Sequence, residues 1–179
     1  MQAEIHPLEP FFQQMVRNSY AGKLGIHDTS ITKYVANLLC EFSHAEMLYK
    51  VRDEHGKPIN ALDEMVRAAD PIHGTATSFD AERAIRKHIG DYALFVSGMY
   101  PESMDPYRKR RGQQSFEELV KVGKESYYIV SQFNVAEYAE EAPMFARLSD
   151  WFDRCIYGLQ LVRDELTSQK PGYLPARVN

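Results

Sequence analysis

Only two cysteines, Cys40 and Cys155, occur in the 179 residues, both in apolar helical contexts. That suits reduced, buried thiols of a cytoplasmic protein better than a secreted disulfide framework, although one bridge between them stays open. No apolar run approaches the ~20 residues that a bilayer-spanning helix requires. The opening "MQAEIHPLEPFF" has neither the basic start nor the apolar stretch of a signal peptide. No segment alternates with period two over a strand length, and "YYIV", the best strand candidate, sits inside a longer helical pattern. Repeats, low-complexity tracts and Pro/Gly/Ser linkers are missing, so nothing divides the chain into domains. The charge balance, 25 acidic against 21 basic residues and net −4, is mixed along the sequence. It supplies no overall attraction to nucleic acid or to an anionic membrane. The one basic cluster, Arg108 to Arg111, reads as a solvated loop. Phosphate-binding glycine loops, G-x-S-x-G, paired C-x-x-C and H-E-x-x-H are all lacking, which removes the most specific catalytic signatures.

What remains is helical patterning. Pro7 and Pro10 open a first amphipathic segment that stops near Gly22 and Gly25. A second begins at "DTS" and carries apolar residues at helical spacing over roughly residues 29 to 51, ended by "EHGKP". A short helix follows over Asn60–Asp70, and another starts at a Thr77 or Ser78 cap and stops before Pro101. Ser115 and Glu118 form the S-x-x-E capping box of the next, and Pro143 suits the first turn of the last. The expected architecture is all-α: a single-domain bundle of four long helices and two shorter ones over residues 1–179, with 1–6 and 171–179 as tails. Glycines at 90, 98, 123 and 158 lie within long helices, where each costs up to about 1 kcal/mol against alanine. Close helix–helix approach is the preferred explanation, and room for a ligand is the other.

One polar constellation stands out. Glu41 and His44 lie at i, i+3 in the second helix, and His88 and Asp91 repeat the spacing in the fourth. Both pairs fall near the middle of their expected helices and so at similar height in a full-length packing. Glu125, Tyr127, Tyr128, Asp153 and Tyr157 could complete a polar layer, although adjacent Tyr127 and Tyr128 cannot both face inward. Glu-x-x-His is the step used by di-metal carboxylate bundles, so Glu41, His44, His88 and Asp91 are candidate ligands for Fe, Mn or Zn. Such bundles need that step twice and two further glutamates, and the chain offers it once. The competing reading, which is favoured, has His88 and Asp91 facing the interior and bonding to tyrosine hydroxyls or arginines on neighbouring helices. Glu82, Arg83, Arg86 and Lys87 then supply the wet face. Cys40 lies four residues from His44, but a thiol on an apolar helix face is ordinarily inert.

At "RKHIGDYALFVSGMYPE", "GKESYYIVSQF" and "LSDWFDRCIYGLQLVRDEL" the chain resembles a set of bacterial all-helical proteins with no assigned activity. The resemblance implies a bacterial cytosolic protein and transfers no site residue. Two functions follow from the sequence as expectations. The first is a non-catalytic helical module, forming a homo-oligomer or binding a protein partner. The second is a metal-dependent or small-ligand-binding bundle built on the four candidate ligands.

Overall fold

The computed structural model describes residues 7–44, 50–59, 61–101 and 115–169. Both expected tails, the basic run at 108–111 and Asn60 lie outside them. Among the described residues there are seven α-helices and no β-strand, in the order α1 (Glu9–Arg17), α2 (Thr29–Phe42), α3 (Leu62–Ala68), α4 (Phe79–Met99), α5 (Phe116–Gln132), α6 (Ala142–Asp150) and α7 (Phe152–Gln169). The all-α bundle is therefore present, with four longer helices and three shorter ones.

Local chemistry sets the starts. The Asp28 carboxylate accepts the Ser30 and Ile31 amides at the head of α2, and Ser78 accepts Ala81 at the head of α4. The Ser115–Glu118 capping box opens α5 with both reciprocal bonds made. Pro143 occupies the first turn of α6, where no amide partner is needed. At the end of α1 the chain widens into a single π-helical turn, Asn18–Lys23, and Tyr20 within it lies in the core.

Three boundaries differ from the sequence expectation. Helix α2 ends at Phe42, where the Ser43 hydroxyl donates to the Cys40 carbonyl and takes up a helix-end acceptor. The turn expected at "EHGKP" is present, with the Asp53 and Ile59 amides bonded to the Lys57 and Val51 carbonyls. Helix α5 stops at Gln132, and a 3-10 turn at Ala136–Tyr138 leads to the next helix. The last long helix is broken at Trp151 into α6 and α7.

Helix α4 is the axis of the fold. From His88 to Met99 every residue is buried, because α5 and α7 pack along it and α2 covers its middle. Gly90 faces Tyr127 while Gly123 faces Ala93, so α4 and α5 run antiparallel. The four glycines inside α4, α5 and α7 all allow close approach: besides Gly90, Gly98 lies against Leu159, Gly123 against Phe152 and Gly158 against the Tyr20 ring. One contiguous core unites α1 to α7, with Tyr20, Phe42, Phe95, Tyr127, Phe145 and Phe152 as its large members.

Candidate functional site

The helices bring one polar cluster into the interior, centred on Asp91, which is 2% exposed. Three helices supply its partners. Tyr34 from α2 and Tyr127 from α5 both donate their hydroxyls to Asp91 Oδ1, the second at 2.7 Å. Lys87, one turn earlier on α4, donates from Nζ to Oδ2 at 3.0 Å. The Lys87 ammonium also lies 5.3 Å from the centre of the Tyr34 ring, so the aromatic face shares its charge. Phe145 of α6 closes the cluster, edge-on to Tyr34 at 5.4 Å and tilted against Tyr127 at 5.6 Å.

Gly90 makes the arrangement possible. A Cβ at this position would stand 2.5 Å from the Tyr127 ring carbons, so any side chain would push the phenol away from Asp91. That is why a helix interior holds His-Ile-Gly-Asp at residues 88–91 despite the cost of glycine there.

The electrostatics hold every donor in its protonated form. Burial, and then the Asp91 charge, raise the Tyr127 and Tyr34 hydroxyls well above the ordinary phenol value. Burial works against a charged Lys87, but the Asp91 carboxylate outweighs it and the ammonium titrates above the usual lysine value. At neutral pH none of the three donors is a free base or nucleophile. The cluster is suited to locking α2, α4 and α5 in register.

The four candidate metal ligands are not brought together. His88 and Asp91 are interior, as the face analysis of α4 requires. His88 packs edge-on to Phe42 at 6.0 Å and beside Tyr92. Glu41, in contrast, lies exposed in the last turn of α2 and pairs with Lys50 at 3.0 Å, and His44 lies exposed beyond the helix end. The shortened α2 removes the common height on which the four-ligand layer depended. Among the described residues no three of His, Cys, Asp and Glu converge as a metal site would require. Of the further polar-layer residues only Tyr127 joins Asp91. Glu125, Tyr128, Asp153 and Tyr157 face outward.

The thiols offer no chemistry either. Burial, with the Glu9 and Glu41 carboxylates, pushes Cys40 up to about 11, and burial pushes Cys155 up to about 12. Both are free and buried. No family model, curated protein or solved structure matches the chain.

Two expectations for the wet face of α4 are corrected. Arg83 is buried: it pairs with Glu141 at 2.9 Å and stacks 4.0 Å over the Tyr138 ring, because the 3-10 segment covers the start of α4. Lys87 turns inward to Asp91. The Lys87–Asp91 spacing of i, i+4 was the available signal for it. Tyr34 carried no such signal, since its position looks like any other aromatic on an amphipathic helix.

Proposed function

We propose that this chain is a non-catalytic cytoplasmic helical module that acts through its outer surface, by association with a second copy of itself. The Asp91 cluster supports this reading, because both carboxylate oxygens are engaged by internal donors. The observation that carries it lies outside. Where α4 begins and α5 ends, the Phe79 ring packs tilted against Phe133 with ring centres 4.2 Å apart yet stays 55% exposed, and Val135, two residues beyond Phe133, is 58% exposed. Large apolar side chains held rigidly at a surface favour burial against another protein. A two-fold contact would place Phe79 against its own copy, which a single patch can satisfy.

Light scattering behind size exclusion, across a concentration series, tests this directly. A dimer is expected, shifted toward monomer by F79S combined with V135S at little change in melting temperature. A protein monomeric at every concentration would overturn the reading. The alternative, a bundle binding Fe, Mn or Zn or a small ligand through Glu41, His44, His88 and Asp91, has weaker support. It would need Asp91 to release its tyrosines and both α2-end residues to turn inward. Elemental analysis of untagged protein purified without chelator decides it: a stoichiometric transition metal would favour that alternative.

A further inference from the structure

A cavity of about 280 Å³ opens between α1 and α2, lined by Gln13, Arg17, Thr29, Thr32 and Lys33. Gln13 and Arg17 stand one turn apart on α1, and the other three share a face of the first turns of α2. Every lining side chain is polar and two are cationic, contributed from opposite walls. Elsewhere Lys50, Arg67, Arg83, Lys87, Lys124 and Arg147 each hold a carboxylate. Among the described residues Arg17 and Lys33 hold none, as Lys23, Arg52 and Lys121 also do not; what sets the pair apart is that both line one cavity whose lining contains no acid, in a chain that is acidic as a whole. The carboxylates at the ends of these helices are occupied. Asp28 is bound by the Arg147 Nε at 2.5 Å and by its own cap amides, and Glu9 accepts from Gln13 at 2.9 Å.

We propose that this cavity binds the phosphate dianion of a small phosphorylated compound. A guanidinium fork on one wall and an ammonium on the other match a doubly charged tetrahedral group better than a single carboxylate. The Thr29 hydroxyl adds a neutral donor, and the positive end of α2 contributes a field of the right sign. Arg147 offsets the Asp28 charge that would otherwise oppose it. The site is separate from the Asp91 cluster and from the Phe79 surface, so its failure would leave the proposed self-association untouched.

Calorimetric titration of the full chain with inorganic phosphate and with glycerol 3-phosphate is the test. One saturable site is expected, weakened about tenfold or more by R17Q or by K33Q. K50Q, which alters a cation outside the cavity, is expected to bind like wild type. Arg17 and Lys33 are exposed, so their variants should melt with wild type when phosphate is absent. Affinity for the monoester should fall as the pH drops through about 6, where its second charge is lost. Tighter binding of glycerol 3-phosphate than of inorganic phosphate assigns the organic part to the cavity, and equal binding assigns the site to phosphate alone. Absence of a saturable site with both probes, or affinity unchanged in R17Q and K33Q, overturns the proposal.

Discussion

Replacing Asp91 with alanine probes the centre of the fold, and its cost can be worked from the contacts that are lost. The Tyr127 hydroxyl, 2.7 Å from Oδ1 on a residue with no exposed surface, would be left without its partner. An unsatisfied buried hydroxyl costs about 1–3 kcal/mol. Lys87 loses its carboxylate too, but its side chain is 31% exposed and can swing to water, so its share is held below about 1 kcal/mol. The Tyr34 hydroxyl also loses its acceptor, but the residue is only partly buried, so it adds a further fraction. The sum is about 2–4 kcal/mol, a large part of the ~5–15 kcal/mol by which such domains are stable.

A second substitution separates this mechanism from general damage. Tyr127→Phe alone removes one donor and leaves Asp91 with Tyr34 and Lys87, so it should cost about 1 kcal/mol. In the Asp91→Ala background the same change removes the orphaned hydroxyl and should recover stability, giving a double variant more stable than Asp91→Ala itself. Urea denaturation of the four proteins measures the cycle. Added Mn²⁺, Fe²⁺ or Zn²⁺ should leave the wild-type midpoint unmoved, since only a metal bound by the native state would raise it. Asp91→Ala within about 0.5 kcal/mol of wild type, or no recovery in the double variant, would refute the account of the cluster.

Gly90→Ala places a methyl against the Tyr127 ring and should cost about 1–3 kcal/mol by overpacking, whereas Gly22→Ala, with nothing within 4 Å of its new Cβ, should change little in the same urea melts. The stability that Tyr34 and Tyr127 contribute should be fully present below about pH 10 and fall above it, by up to about 1.4 kcal/mol per pH unit for each. The reason is that the unfolded chain releases phenol protons that Tyr34 and Tyr127 retain in the fold, and Lys87, also raised, acts in the same direction; Tyr127→Phe should flatten that alkaline limb. At the acid end burial would raise Asp28, but its bonds from Ser30, Ile31 and Arg147 win and lower it, so its stabilisation is present above about pH 4 and lost as pH falls further. Asp28→Asn should reduce the acid dependence, read from melting temperatures across a pH series.

The sequence carried most of the architecture because its helix starts are written in local chemistry. Asp28, Ser78, the Ser115–Glu118 box and Pro143 each satisfy or excuse an orphan amide, and such residues announce themselves. Helix ends were less legible. The stops at Phe42 and Gln132, and the break at Trp151, involve no glycine or proline. They depend on a serine back-bond at Ser43 and on how neighbouring helices pack, and neither has a periodic signature.

The candidate site shows the same division between what one helix can say and what only several can. Periodicity along α4 is enough to turn His88 and Asp91 inward, since the stripe through Tyr92, Phe95 and Met99 has one apolar side. It cannot say which residues of other helices stand opposite. Glu41 and His44 matched Asp91 and His88 in residue type and spacing, and an α2 running to residue 51 would have put them at equal height. With α2 ending at Phe42, its inward register at the level of Asp91 falls to Tyr34, two turns earlier, and the exposed Glu41 turns to Lys50. A carboxylate that meets two phenols and an ammonium has different chemistry from one that meets a glutamate and an imidazole. The first gathers donors that keep their protons and holds three helices together, whereas the second gathers acceptors that would need a cation. The end of one helix thus decides between a structural pin and a metal centre.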